Sequence, residues 1–370
     1  MESRDEVGGK RGNGGQGAAG RGGQCAAGPG AVKHPWEVDV AVLLLFFNRP
    51  GPFAQVFGQV RKARPSRLFL YQDGPRSEKD MAGIEACRQI ATQIDWDCDV
   101  RRNYLDKNQG CDPSGFRSHK WAFSLADKVI VLEDDCVPSL SFFPFCKEML
   151  DLYEHDPRVM MIAGFNTDEE SDDVAGDYFF TSVFSCWGWA SWRRVADLWD
   201  SDYSFMKDDY AVRQLEGLIR ARRCRPGLMQ MFRDHSRSGK EYFETIFWAS
   251  MLLNSGLAIM PKRNLINNVG LMPDSVHYSA TLKTTPRKQR RIYTMKRFEL
   301  DFPLRHPRYV TENAAYKERL YKVMAWGHPW TKVCYALEEF LLNLRYGNFR
   351  HIIKSLARRV KKWTGTFRYE

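Results

Sequence analysis

Three adjacent carboxylates, Glu133, Asp134 and Asp135, follow the apolar segment 128–132 and precede an aromatic-rich helical pattern. Like charges at this spacing repel one another, so the triplet does not help to stabilise a core. Carboxylate oxygens are the ligands that hard cations such as Mg²⁺ and Mn²⁺ prefer, and these ions often bridge substrate phosphates as well. The alternative is a solvated loop that caps the next helix. Whether the triplet is a metal site or a loop depends on the fold around it.

Apolar and amphipathic segments alternate from residue 40 to residue 166. Predicted strands cover residues 40–47, 67–72, 97–105, 128–135 and 158–166, and predicted helices cover residues 53–63, 78–94, 116–126 and 142–153. Repeated strand–helix units predict an α/β, Rossmann-like fold. Its central sheet is expected to be mixed and mostly parallel, with helices on both faces.

Polar and turn-forming residues follow four of the predicted strands. They are Asn48-Arg49-Pro50, Asp73-Gly74-Pro75, Asn108-Gln109-Gly110 and Glu133-Asp134-Asp135. Ligands bind at the carboxyl ends of the strands in such sheets, so these residues are expected to converge on one binding edge. The alternative is that Gly, Pro and Asn only make turns.

The strand pattern also orients the carboxylates. Alternation along a strand points Glu133 and Asp135 to one face and Asp134 to the other, and Asp135, the last of the three, is best placed to reach a metal. The chain has neither GxxxxGK[ST] nor a GxGxxG after its first strand. The charge of a bound diphosphate would then be met by the metal and by basic side chains, with Arg49, Lys107 and Arg117 the nearest candidates.

The composition of the chain limits the classes of binding partner and the cellular compartment that we expect. The formal net charge is +10, which favours anionic partners. The nine cysteines include no CxxC pair, which argues against a disulfide framework and a zinc site. The first 30 residues lack the apolar segment of a signal peptide, and no apolar run reaches about 18 residues. We therefore expect a cytoplasmic protein, in solution or on the cytoplasmic face of a membrane. No nucleic-acid partner is expected, because the basic residues cluster in the tail and no known reader motif appears.

Several short motifs occur together in a fixed order. They are LLFFNRP, YQDGPR, IDWDCDV, NQGC, VLEDDCVPSLSFFPFC, WGWASWRR and PKRNLINNVG followed by a histidine. In this combination, over roughly residues 38–280, the chain resembles the GT-A-fold glycosyltransferases of the haemolytic-protein-like group. That group is similar in turn to the metal-dependent N-acetylglucosaminyltransferase I fold, whose acidic motif is also EDD.

The resemblance implies an inverting transferase that uses a nucleotide-diphosphate sugar, a UDP-sugar above all, with Mn²⁺ or Mg²⁺. The donor-site residues it implies are Asn48, Arg49, Asp73, Asn108, Gly110, Glu133 and Asp134, and the metal ligands are Asp135 and His277. The expected acceptor is a glycan or a lipid-linked sugar.

On the acceptor side the resemblance points to the segment 184–194. Its rings Trp187, Trp189 and Trp192 would stack on pyranose faces, or else form a tryptophan-rich corner of the core. An inverting transferase also needs a general base for the acceptor hydroxyl. Glu244 falls closest to the implied position, where related sequences have aspartate, and Glu241 is the substitute. The alternative for Glu244 is a first-turn carboxylate that interacts with the helix dipole.

Three regions are expected along the chain. They are a disordered Gly-rich tail (1–35), a GT-A domain (36–285) and a helical extension (286–370). Residues 349–363 of the extension predict a basic amphipathic helix, which lies on an anionic membrane or docks on the catalytic domain.

Two other functions compete with a transferase. A sugar-phosphate nucleotidyltransferase shares this type of sheet, but it usually has a Gly-rich basic loop after the first strand, where this chain has FFNRPGPF. A non-catalytic membrane-associated or sugar-binding protein would be expected to have lost the carboxylates.

Overall fold

A computed structural model describes residues 34–219, 221–271 and 282–363 of the chain, with side chains to residue 357. Its first elements are β1 (Val38–Phe46), α1 (Pro50–Ala63), β2 (Pro65–Gln72), α2 (Met81–Ala91), β3 (Asp99–Tyr104), α3 (Cys111–Leu125), β4 (Lys128–Glu133), β5 (Cys136–Pro138), α4 (Phe142–Leu152) and β6 (Val159–Ala163). All five predicted strands and all four predicted helices are therefore present.

The later elements are a mixture of short strands and helices. They are β7 (Tyr178–Thr181), β8 (Trp189–Trp192), α5 (Arg193–Ala196), α6 (Asp209–Leu218), α7 (Arg225–Ser238), α8 (Phe243–Leu253), β9 (Leu257–Pro261), β10 (Ile266–Asn268), α9 (Arg287–Ile292), α10 (Ala314–Val323), α11 (Pro329–Arg345) and α12 (Phe349–Trp363). Among the described residues, no helix combines the length and the apolar character needed to cross a membrane.

Eight strands form one mixed, mostly parallel sheet in the order β3-β2-β1-β4-β8-β6-β9-β7. The neighbours β3, β2, β1 and β4 are all parallel. Their register pairs Phe46 with Gln72, Gln72 with Tyr104, and Leu45 with Glu133. The carboxyl ends of these four strands are therefore level, and the polar residues that follow them lie along one edge of the sheet, as predicted.

The central strands are apolar because helices and neighbouring strands cover them. Residues Ala41–Leu44 of β1, Val129–Leu132 of β4 and all of β6 are buried. Continuous apolar runs of this kind are typical of interior parallel strands. Burial of these strands fixes their register. The positions of the polar residues that follow the strand ends are fixed with it, because a shift by one residue would move all of them.

Strand β8 was not predicted. It lies between β4 and β6 and is antiparallel to both, so β6 does not pair directly with β4. Gly188 precedes it with φ of +64°, and a Cβ there would lie 2.5 Å from Ile266 Cδ1. Only glycine fits both the positive φ and this close approach.

The segment after residue 294 packs against the end of the sheet. The Phe298 amide donates to the Asn264 carbonyl (2.9 Å), and the Glu299 carboxylate accepts from the amides of Leu140 (3.0 Å) and Ser141 (2.7 Å) at the start of α4. The Asn267 side chain donates to the Met295 carbonyl (2.6 Å). Asn264 Nδ2 likewise donates to the Lys296 carbonyl at 2.9 Å, and these side-chain amides fasten the segment beside β10.

Candidate metal and ligand site

The carboxylate triplet spans the end of β4 and the turn after it. Glu133 is the last residue of the strand, and Asp134 and Asp135 form a turn before β5, so the strand is two residues shorter than predicted. Arg49 lies against this turn. Its guanidinium pairs with both Asp134 oxygens and donates to Asp135 Oδ2 at 2.9 Å. Arg49 is thus the counter-ion of the acidic turn, and its contact with a nucleotide stays a prediction.

The single positive charge of Arg49 does not neutralise the three carboxylates of the triplet. Burial, reinforced by Asp135, Glu244 and Asp134, holds the pKa of Glu133 well above its usual range. Burial also raises the pKa of Asp134 to about 6, although Arg49 favours its ionised form. The pKa of Arg49 is raised in turn, because the attraction of the two aspartates outweighs the effect of burial. The turn therefore has an excess of negative charge, and a cation would relieve it.

Three potential metal-ligand atoms lie close together at the acidic turn. Ligand atoms of Glu133, Asp135 and Cys136 lie within 4.8 Å of one another. Burial and the adjacent carboxylates hold the pKa of the Cys136 thiol well above its usual range, and Cys136 Sγ donates to Asp135 Oδ1 at 3.4 Å. The available ligands are therefore carboxylates, which suit Mg²⁺ or Mn²⁺ better than a soft metal.

Gly270 packs closely against Asp135. A Cβ at residue 270 would lie 2.1 Å from Asp135 Oδ2, and the Gly270 amide is fixed to Asn268 Oδ1 at 2.8 Å. Asn268 also donates to Asp135 Oδ1 at 3.3 Å. The carboxylate is thus held between Arg49 and Asn268, at a position where the neighbouring residue 270 has to be glycine. Asp135 and Glu133 are the residues that would hold a hard cation.

Gly270→Ala is expected to weaken metal binding without unfolding the protein. The new methyl group must displace the Asp135 carboxylate, and disturbing the position of a ligand costs about 10–100-fold in affinity. Titration of Mn²⁺ followed by thermal unfolding measures the change. The control is Gly217→Ala in α6, where a Cβ meets nothing within 4 Å. Equal Mn²⁺ affinity in both variants would contradict a metal position beside Gly270.

Asp73 and Asn108 bind each other rather than leaving their polar atoms open. Asp73 is buried and accepts from the Gln109 amide (2.9 Å), the Gly74 amide (2.8 Å) and Asn108 Nδ2 (3.0 Å). Asn108 Oδ1 accepts from the Gly110 amide at 3.1 Å. The Asp73 oxygens tie the loop 106–110 to the end of β2, and contact of Asp73 with a base or ribose stays a prediction.

The Asn48 side chain also forms a hydrogen bond within the fold. It donates to Asp80 Oδ1 at 2.7 Å, and Arg76 pairs with the same carboxylate at 2.7 Å. The hydrogen bonds and charge of Arg76 lower the pKa of Asp80 to about 2. Asn48 thus joins the end of β1 to the start of α2 and is a positioning residue for the edge.

The two candidate bases lie in different surroundings. Glu241 accepts from Arg117 Nε at 2.9 Å, so Arg117 is also committed to a carboxylate. Glu244 is exposed in the first turn of α8 and is one of the charges that raise the pKa of Glu133. Glu244 therefore lies near the acidic edge.

The three tryptophans separate into core and partly exposed positions. Trp189 and Trp192 are buried, and Trp192 Nε1 donates to the Leu150 carbonyl at 3.0 Å. Trp187 is half-buried, with its ring 4.8 Å from that of Phe165 and 5.3 Å from that of Tyr293. The acceptor role expected for all three is corrected, because buried rings offer no face to a sugar and only Trp187 has access to solvent.

A buried histidine that sequence reasoning did not select lies behind these rings. His119 is enclosed by Trp189 and Phe243, with ring centroids 5.2 Å and 4.2 Å away. Neither ring nitrogen has a hydrogen-bond partner among the described residues. Burial lowers the pKa of His119 to about 3, so the imidazole is neutral in the folded protein.

His119 is expected to make the fold acid-sensitive. Its pKa is about 3 when folded and near 6.5 when unfolded, so its contribution is complete above pH 6.5 and is lost as the pH falls below it. From pH 7.5 to 5.5 the loss is about 1.4 kcal/mol. Urea unfolding at both pH values, compared between wild type and His119→Leu, measures it.

The control for this titration is His155→Leu, which removes an exposed histidine. It should keep the wild-type pH dependence of the free energy of unfolding. A His119→Leu variant with the same pH dependence as wild type would show that His119 does not resist protonation.

A cavity of about 450 Å³ lies between α1 and the β5–β10 pair, next to the acidic turn. Asn268, which contacts Asp135, lines it together with Lys62 and Arg297. Sequence reasoning missed both cations, because they are far from the strand ends in the chain. No local pattern in the sequence indicates either residue.

The remaining predicted ligand, His277, lies outside the described residues, as does Cys25. None of the eight cysteines within the described part of the chain forms a disulfide. Comparison with protein-family models and with curated proteins gave no match.

Proposed function

We propose that the protein is a metal-dependent, inverting glycosyltransferase of the GT-A fold. It moves a sugar from a nucleotide-diphosphate donor, a UDP-sugar, to a glycan or a lipid-linked acceptor. The observation that carries the proposal is the acidic turn at the level edge of four parallel strands, where ligand atoms of Glu133, Asp135 and Cys136 lie within 4.8 Å of one another.

In this proposal different residues of the chain bind the cation, position the carboxylates and bind phosphate. Glu133 and Asp135 hold the cation, and Arg49 keeps Asp134 and Asp135 in place. When bound, the cation neutralises the diphosphate that leaves. Lys62 and Arg297 in the adjacent cavity offer further positive charge for phosphate oxygens. The cavity volume lies within the range of small-ligand sites.

Glu244 is the base in this proposal, because its charge lies near the acidic edge, in the first turn of α8. As the acceptor oxygen bonds to the anomeric carbon, the bond from that carbon to the phosphate oxygen breaks. The hydroxyl proton passes to the Glu244 carboxylate, and the nucleoside diphosphate leaves.

The test is a thermal-unfolding panel of UDP, GDP, CMP and TDP, each with and without Mn²⁺. One nucleoside diphosphate is expected to stabilise the protein only when the metal is present. Incubation with the matching nucleotide sugar should then release that diphosphate. No metal-dependent shift with any nucleotide would overturn the proposal. Release of pyrophosphate from a nucleoside triphosphate and a sugar phosphate would instead assign a nucleotidyltransferase.

A further inference from the structure

Helix α11 carries large apolar side chains on the outside of the protein. Leu337 and Leu341 are 57% and 54% exposed, and Val333 and Leu344 are exposed as well. These positions share one face of the helix. Exposed leucines are common one at a time, but a continuous apolar stripe over three turns indicates a surface that meets an apolar phase.

Helix α12 repeats the pattern. Phe349, Ile353 and Leu356 recur at helical spacing on one face and are 59%, 66% and 53% exposed. The sequence continues this face at Val360 and Trp363, whose side chains lie outside the description. The predicted helix 349–363 is therefore present, and the described side chains of its apolar face are exposed. Helix α11 has a similar exposed apolar stripe.

The two helices form one hairpin, α11–α12. Gly347, with φ of +67°, makes the bend between them. Asn348 Nδ2 donates to Asn343 Oδ1 at 3.0 Å, and His351 Nε2 lies 2.9 Å from Glu339 Oε1. These contacts fasten the start of α12 to α11, so both apolar stripes belong to one hairpin.

The hairpin carries a net positive charge. Residues 329–363 contain eight Lys or Arg and two acidic residues, Glu338 and Glu339. Glu338 accepts from the Arg287 amide at 2.9 Å, and Glu339 contacts His351, so both carboxylates are engaged. Four of the basic residues are described and exposed: Lys332, Arg345, Arg350 and Lys354.

We propose that the α11–α12 hairpin docks in the plane of an anionic lipid bilayer. The apolar stripes would enter the boundary between headgroups and acyl chains, and the basic residues would contact anionic headgroups. A second copy of the chain fits less well, because it would bring two surfaces of the same positive charge together. The proposal does not depend on the transferase function.

Co-sedimentation of the full-length protein with vesicles tests the proposal. One set is phosphatidylcholine alone and the other is phosphatidylcholine with phosphatidylserine. We expect binding to the mixed vesicles to be at least about tenfold tighter, and to weaken with added salt. The double variant Leu341→Glu, Ile353→Glu should lose at least about tenfold in affinity for them.

Two further variants separate apolar contact from charge. Leu152→Glu, at an equally exposed leucine (53%) in α4, should bind like wild type. Arg350→Glu with Lys354→Glu should lower binding to mixed vesicles to the level seen with phosphatidylcholine. Circular dichroism checks that each variant is folded.

Three results would overturn the proposal. One is no sedimentation with mixed vesicles, and another is equal binding to both vesicle types. The third is a dimer in analytical ultracentrifugation that Leu341→Glu with Ile353→Glu dissociates, which would assign the face to a second copy of the chain.

Discussion

Asp135→Asn is expected to remove the metal-dependent stabilisation by a nucleoside diphosphate. Asparagine has the same shape as aspartate and keeps an oxygen for the Asn268 contact, but it lacks the charge that a divalent cation needs. At a ligand concentration of 100 times the dissociation constant, wild type gains about 2.7 kcal/mol. A 100-fold loss of affinity reduces this to about 0.4 kcal/mol.

The measurement is thermal unfolding with Mn²⁺ and the diphosphate selected by the panel. The variant should unfold cooperatively without ligand, because Arg49 remains paired with Asp134. The matched control is Asp172→Asn, at an exposed aspartate away from the edge, which should respond like wild type. Full stabilisation of Asp135→Asn would place the cation elsewhere and remove the main support for the proposed function.

Trp189→Ala is expected to lower the free energy of unfolding by about 3–5 kcal/mol. The Trp189 ring is buried and stacks near those of Phe243 (5.4 Å) and Phe247 (5.9 Å), with His119 edge-on. Truncation leaves a cavity between β8 and α8 that these rigid aromatic neighbours cannot fill. Urea unfolding at neutral pH measures the change.

Trp187→Ala is the comparison, since the two tryptophans are separated only by Gly188. The Trp187 ring is half-buried, and its loss should cost on the order of 1 kcal/mol. Wild-type stability of Trp189→Ala, with weaker binding of a sugar acceptor, would show that the Trp189 ring is accessible and would restore the acceptor role.

Local patterns were sufficient to predict the first half of the fold. An apolar run such as that of β1 is strand-like, and the stripe of α4 is helix-like, because each pattern depends only on neighbouring residues. Parallel strands joined by crossover helices then align their carboxyl ends. The convergence of Arg49, Asp73 and the carboxylate triplet followed from that alignment alone.

The partner of each polar residue depended on distant parts of the chain. Arg49 is 85 positions from Asp134, and β8 enters the sheet next to β4 from 60 residues later in the chain. Such contacts have no local pattern, so the sequence did not show that Arg49 pairs with carboxylates or that Trp189 is covered.

The sequence by itself determined the α/β class, the order of the first strands and the edge where charge collects. Only the tertiary structure decided which partners the polar atoms at that edge take. Asp73 and Asn48 form hydrogen bonds with neighbouring loops and helices, whereas Asp135 accepts from Arg49 and Asn268 and packs against Gly270. The reason is physical: buried polar groups take whatever partner long-range packing brings within reach, and residue type alone does not specify that partner.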